Sequence, residues 1–170
     1  MWADHAIWWQ IYPLGFTGAE QAAVPGVVRR LPQLENWLDY AIELGCSGPL
    51  LGPVFASETH GYDTIDHFRI DPRLGDAADF DHLIAAAHAR GLRVALDGVF
   101  NHVARSFAHP SWFRRDADGL ATFEGHEQLV ALDHSRPEVA QYVGEVLRFW
   151  NERGVDAWRL DAAYAVPPEF

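Results

Sequence analysis

Two hydrophobic rhythms alternate along this chain, and that alternation restricts it to few folds. Short apolar runs of strand length are followed by stretches whose apolar residues recur at helical spacing. Ile7 to Leu14 is the first run, and Leu34, Trp37, Leu38 and Ala41 then repeat as a helix that Gly45 stops. Cys46 to Leu51 is the second run, with Pro49 inside it, a residue that central strands rarely hold. Asp76 reads as an N-cap, with Asp79 three residues on, ahead of a helix bearing Phe80, Leu83, Ile84 and Ala87 and closed by Gly91. Leu92 to Val99 is the third strand. Ser135 and Glu138 then predict a capping box with Pro137 in the first turn, for a helix with Val139, Tyr142, Val143, Val146 and Trp150 on its buried stripe. Gly154 closes that helix and Val155 to Leu160 is the fourth strand. The order implies parallel βαβ units in an α/β fold.

The connections are unequal. Those leaving the second and third strands are long, Gly52 to Gly75 and Asn101 to His134, whereas those entering strands are tight. That asymmetry is typical of a site built above the C-terminal ends of the strands. Four βα repeats fit half of an eight-stranded barrel or a small doubly wound sheet. No glycine-rich phosphate loop follows a strand, which argues against a nucleotide site. A formal net charge of -11 argues against nucleic acid or an anionic membrane as the main partner and is compatible with a neutral ligand such as a sugar. Seven Trp and ten Phe supply a large aromatic core, with rings left over to stack on flat ligand faces. The single cysteine, Cys46, excludes an intramolecular disulfide. The N-terminus lacks the pattern of a signal peptide and no apolar run is long enough to span a membrane, so a cytoplasmic setting is expected.

Strand residues two apart face the same way. Arg159 and Asp161 therefore share one face of the fourth strand, and Asp97 shares the corresponding face of the third with Ala95 and Val99. Two carboxylates and a guanidinium are thus expected to converge from neighbouring strands. An arginine within reach favours the ionised carboxylate that attack on carbon requires. Spacing alone leaves a second reading open, a structural ion pair closing the top of the sheet. His60, Tyr62 and Asp63 follow the second strand, and Asn101 and His102 follow the third, which predicts a polar pocket above the same face. Neither a His-Glu-x-x-His pattern nor paired cysteines exist, so the nine histidines do not predict zinc.

Two segments carry a resemblance to a known family. DGVFNH (Asp97 to His102) and GVDAWRLDA (Gly154 to Ala162) resemble the first two signature regions of the alpha-amylase family of glycoside hydrolases, whose patterns are Asp-x-Val-x-Asn-His and Gly-x-Arg-x-Asp. The opening WWQIYP, the segment PVFASETHGYDTIDHFRIDPRLG and LVALD (Leu129 to Asp133) are similar to the same family, in the same order. The resemblance implies a (β/α)8 TIM barrel, of which residues 1–170 hold the first four βα units as a half-barrel fragment with a short inserted loop region at about 103–134. It implies retaining cleavage of α-glucosidic bonds in starch-like oligosaccharides or cyclodextrins.

Residue by residue, the resemblance makes Asp161 the catalytic nucleophile and Arg159 the arginine that keeps it ionised and oriented. Asp97 supports that arginine. His60, Tyr62 and His102 line the sugar subsite on the non-reducing side of the cleaved bond, with Tyr62 stacking on the ring. Asn101 binds calcium in the members that carry it. The partner ligands from the loop after the third strand are not apparent, so neither calcium nor any other cofactor is expected. The family's acid/base glutamate follows its fifth strand and a further aspartate its seventh, and Glu124, Glu127 and Glu169 sit in no matching motif. The partners expected are therefore an α-glucan oligosaccharide and either a second copy or the missing half-barrel. Transglycosylation or isomerisation by the same intermediate, and a non-catalytic half-barrel that binds sugar, are the alternatives.

Overall fold

In the computed structural model, which describes residues 1–170, the four apolar runs become four parallel strands of one sheet. The elements in chain order are β1 (Trp8–Ile11), α1 (Pro13–Phe16), α2 (Leu31–Glu35), α3 (Leu38–Glu43), β2 (Gly48–Leu51), β3 (Phe55–Ser57), β4 (Thr64–Ile70), α4 (Ala77–Ala89), β5 (Ala95–Gly98), β6 (His102–Ala104), β7 (Arg115–Asp116), β8 (Gly119–Leu120), β9 (Thr122–Phe123), β10 (His126–Ala131), α5 (Pro137–Glu152) and β11 (Ala157–Leu160). The main sheet runs β1-β2-β5-β11, and the outer edges of β1 and β11 carry no further strand. No helix is long and apolar enough to cross a membrane.

The long connections are structured rather than loose. The first folds into the antiparallel β3–β4 hairpin, and the second into a three-stranded sheet, β6-β10-β9, with the small β7–β8 hairpin beside it. The principal core lies between the sheet and its helices: Leu31, Leu34, Leu38 and Ala41, then Phe80, Leu83, Ile84 and Ala87, then Val143, Val146 and Trp150 pack on Leu51, Val94 and Leu96. Removing this apolar surface from water is the main stabilising term. A second cluster of Val103, Phe107, Phe113, Val130, Leu132 and Val139 holds the connection after β5.

Several sequence expectations are refined. The helix expected from Leu34 to Gly45 is broken at Asn36–Trp37 into α2 and α3. Trp37 does not join its buried stripe. It is 44% exposed and meets Trp9, Phe16 and Tyr40 edge-on or tilted. Asp76 does cap α4, accepting from the amides of Ala78 and Asp79 while Asp79 accepts from the Asp76 amide. The capping box expected at Ser135 and Glu138 does not form. Ser135 lies one residue ahead of the N-cap, and its Oγ donates to Asp133 Oδ1 at 2.6 Å rather than accepting from a helix amide. Helix α5 then begins at Pro137 with Arg136 in the uncapped N-cap position. Pro49 is accommodated because pairing of β2 with β5 starts at Leu50, one residue past it.

Close approach of two backbones sets a strict requirement at Gly48. A Cβ there would lie 1.7 Å from the Arg93 carbonyl oxygen, which belongs to the turn entering β5. Gly48→Ala is therefore expected to destabilise the chain by about 1–3 kcal/mol or more, read as a lower urea midpoint with an unchanged slope.

His67 is fully buried and threaded into the core. Its Nε2–H donates to the Val99 carbonyl at 2.9 Å, and Nδ1 accepts from the Tyr142 hydroxyl at 3.0 Å. Burial holds its pKa down at about 4, so the folded state keeps it neutral. Since the unfolded chain protonates His67 at a higher pH, it binds more protons between about pH 6.5 and 4, and stability falls as pH falls through that window. The expected loss is on the order of 3 kcal/mol by pH 4. Urea midpoints across pH 4–7 should fall less steeply in His67→Gln than in the wild-type chain.

Candidate active site

Parallel strands deliver their C-terminal ends to one edge, and the charged residues gather there. In the ladder between β5 and β11, Arg159 is the register partner of Asp97. The Arg159 guanidinium spans two carboxylates: Nη1 donates to both oxygens of Asp97 at 2.6 Å, and Nη2 lies 3.1 Å from Asp161 Oδ1. Asp97 is buried, and burial pushes its carboxyl up while Arg159 pulls it the other way. Asp161 follows the last residue of β11, its amide donating to the Gly98 carbonyl at 3.0 Å. The next residue, Ala162, has a left-handed backbone at φ 49°, a conformation that costs a residue with a Cβ free energy and redirects the chain past the carboxylate.

Two loops surround this triad. Tyr62 reaches in from the β3–β4 hairpin, its hydroxyl donating to Asp97 Oδ2 at 3.4 Å. Burial, reinforced by the Asp97 charge, drives its pKa up to about 12, so it remains a neutral phenol. His60 lies beside it, with ring centroids 6.1 Å apart, and its Nδ1 accepts from the Tyr62 amide at 3.2 Å. Asp63 tightens the turn by accepting from Thr59 Oγ1 at 2.5 Å and the Gly61 amide at 3.2 Å.

His102, in the first position of β6, is buried and burial lowers its pKa, which keeps the ring neutral. The Asn101 amide nitrogen lies 3.2 Å from its Nδ1. With that nitrogen donating, the ring proton sits on Nε2, which is buried without any hydrogen-bond partner. A buried unpaired N–H is costly, and a ligand oxygen would relieve it. The Asn101 amide nitrogen is turned to His102, which leaves its carbonyl oxygen as the atom that could meet a cation.

The residues singled out from the sequence, His60, Tyr62, Asp63, Asp97, Asn101, His102, Arg159 and Asp161, thus lie at the C-terminal end of the sheet or in the loops that follow its strands. Two supports escaped sequence reasoning. Phe123 stacks on the His102 ring at 4.4 Å between centroids and 16° between planes. It comes from the connection after β5, where no periodicity marked it. Arg73 is almost wholly buried, forms a two-pronged pair with Asp71 at 2.9 and 2.7 Å, and donates to the Thr59 carbonyl at the root of the His60 turn. The segment IDPRLG held that pair in plain view as opposite charges two residues apart among apolar residues.

The chemistry available is that of one buried and one partly exposed carboxylate clamped by one guanidinium, beside a neutral phenol, a neutral imidazole with a free N–H, and flat ring faces. It suits a neutral polyhydroxylated ligand.

Comparison with known proteins identifies the family. The family described as "Alpha amylase, catalytic domain" matches residues 10–125. Neopullulanase 2 of Thermoactinomyces vulgaris is 34% identical over 217 residues, covering 99% of this chain and 36% of the relative. That span exceeds the 170 residues here, so the relative carries at least 217 − 170 = 47 residues within it that this chain lacks. Cyclomaltodextrinase of Geobacillus thermopakistaniensis (strain MAS1) is 30% identical over 207 residues, covering 99% of this chain and 35% of the relative. Among solved structures, the ligand-free cyclic alpha-maltosyl-(1-->6)-maltose hydrolase from Arthrobacter globiformis superposes with a TM-score of 0.82 at 29% identity, over 98% of this chain and 46% of that one. The chain therefore spans between a third and a half of the relatives it matches.

Removing Arg159 tests the triad in the chain itself. Arg159→Met leaves Asp97 buried without its cation and raises its pKa further above the unfolded value. A carboxyl raised on folding loses stability as pH rises through that interval, so the penalty is larger at pH 8 than at pH 5. About 1–3 kcal/mol is expected at pH 8, below the value for a wholly buried pair because the Arg159 side chain is 40% exposed and water screens it. Urea unfolding of both proteins at the two pH values measures it.

Proposed function

The chain belongs to the alpha-amylase family, and we propose that it carries the nucleophile half of a retaining glycoside hydrolase acting on α-glucans. The observation that carries this reading is the Arg159 bridge between Asp97 and Asp161, set between Tyr62 and His102. Asp161 is the nucleophile, aimed by Arg159. Asp97 fixes the guanidinium from its other side. Tyr62 offers a ring face to the sugar, and His102 Nε2–H and His60 offer hydrogen bonds to its hydroxyls.

In the reaction, Asp161 forms a bond to the anomeric carbon as the glycosidic C–O bond breaks. A second carboxyl group, about 5 Å from the first in a retaining enzyme, gives its proton to the leaving oxygen. Water, deprotonated by that same group, then displaces Asp161 and releases a sugar of retained configuration. That second carboxyl is assigned to strands beyond these four. Residues 1–170 are read as the first half of a (β/α)8 barrel, with the connection at about 103–134 as its short inserted region. The unpaired edges of β1 and β11 and the share of the relatives that is matched support that reading. The names of the relatives, cyclomaltodextrinase and neopullulanase 2 among them, support oligomeric α-glucans as the substrate class.

Asp161→Asn, made in the protein that supplies the remaining strands, is expected to lower kcat on maltooligosaccharides by about 10⁴-fold or more while binding persists. Product configuration, followed by NMR, should be retained in the wild type. Inversion of the anomeric centre, or turnover unaffected by the substitution, would remove Asp161 from the nucleophile role.

A further inference from the structure

Arg159 reaches Asp97 only while β11 keeps its register on β5, and burial alone specifies that register weakly. In this chain β11 is an outer strand, paired with β5 alone from Ala157 opposite Ala95 to Leu160 opposite Gly98. Its side chains are half-buried or exposed on both faces. A slip of one residue would turn Arg159 and Asp161 to the helix side and bring Trp158 and Leu160 to the site.

The far end of the strand carries a dense polar clip. Asp156, the residue before β11, is tied to Val94 in both directions. Its amide donates to the Val94 carbonyl and its Oδ2 accepts from the Val94 amide, each at 2.9 Å. Oδ1 accepts from Arg93 Nη1 at 2.8 Å, and Oδ2 also accepts from His88 Nε2–H at 2.9 Å. One carboxylate, 13% exposed, thus joins the start of β11 to the start of β5 and to the last turn of α4. Its partners are themselves fixed. Arg93 Cζ lies 4.2 Å from the centroid of the Trp2 ring, and the Arg93 amide donates to the Ser47 carbonyl at 2.9 Å. The turn before Asp156 has no slack either: Gly154 has φ 101°, and a Cβ there would lie 2.7 Å from Ile84 Cγ2.

The clip selects one register. After a one-residue slip, Val155 or Ala157 would stand opposite Val94 in place of Asp156. Neither side chain accepts a hydrogen bond, so the Val94 amide, Arg93 and His88 would all lose their acceptor. Hydrogen bonds to a charged carboxylate are stronger than neutral ones. Asp156 lies five residues before Asp161, about 16 Å along an extended strand. Its hydrogen-bond partners include none of the site residues.

We propose that Asp156 is a positioning residue for the reaction, a register pin that acts through β11 to set Arg159 over Asp97 and Asp161 at the tip of the strand. Its bearing on catalysis rests on the α-glucan reading above, whereas the pin itself is tested without turnover.

Urea unfolding of the 170-residue chain in a double-mutant cycle tests the pin. Substitutions this far apart with no shared partner ordinarily add. With Asp156 setting the register, the midpoint drop caused by Arg159→Met should shrink to less than about half in an Asp156→Ala background, because the bridge to Asp97 is already lost there. The drop should persist in full in Asp81→Ala, which breaks the neighbouring pair of α4 with Arg153 and leaves β11 clipped. Asp156→Asn keeps an oxygen for the Val94 amide. It should shrink the drop in the same direction by a smaller amount, and it replaces Asp156→Ala if that variant does not fold. Equal drops in all backgrounds would overturn the pin. In the protein that supplies the remaining strands, Asp156→Asn should lower kcat on maltooligosaccharides by about tenfold or more with KM little changed. An unchanged kcat there, beside a loss in Asp161→Asn, would overturn the positioning role and leave the α-glucan reading standing. Turnover unaffected by Asp161→Asn would remove that reading and the bearing on catalysis with it, while the cycle still decides the register.

Discussion

Four parallel strands end at the same edge of one sheet, and almost everything chemical about this chain follows from that constraint. A parallel ladder forces each strand to be reached by a crossover through a helix on the far side. The helices therefore take the apolar face, with Val94 and Leu96 turned toward them, and the loops after the strands are left free to carry function. Tyr62, Asp97 and the Arg159–Asp161 segment are far apart in the chain, yet register places Arg159 beside Asp97 and the residue after β11 beside the end of β5.

Burial then turns this geometry into chemistry. In water an arginine between two carboxylates would be worth little; beneath Tyr62, with Asp97 out of contact with solvent, the same charges hold one another in place. The neutral state of His102 and the phenol form of Tyr62 have the same origin, desolvation. The result is a set of groups in defined protonation states, one of them an N–H with no partner. A ligand hydroxyl completes such a set.

The loops are positioned by polar anchors as well as by apolar packing. Arg73 sits at their junction, since its donors reach the segment after α1, the root of the His60 turn and Asp71 beyond β4. Phe123 plays a comparable part from the other side by covering His102. Arg73 ties down the root of the turn that carries Tyr62, and Phe123 fixes the ring of His102.

The strands, the buried stripes of α4 and α5, the Asp76 cap and the residues at the tips of β5 and β11 were legible because they depend on local rules: periods of two and of 3.6, and a cap within three residues. The break at Asn36–Trp37 was not, because the same apolar spacing serves one helix or two, and only packing of Trp37 against Trp9, Phe16 and Tyr40 separates them. The Ser135 box was misread because a short-range pattern cannot fix the helix start to the residue, and the N-cap falls at Arg136 while Ser135 turns back to Asp133. Phe123 and Arg73 depend on contacts between segments tens of residues apart, which leave no periodic trace. The sequence by itself determined which side chains exist to do chemistry and on which strand each rides. Tertiary structure alone decided which of them meet and which lose their water, since both are set by long-range register and burial.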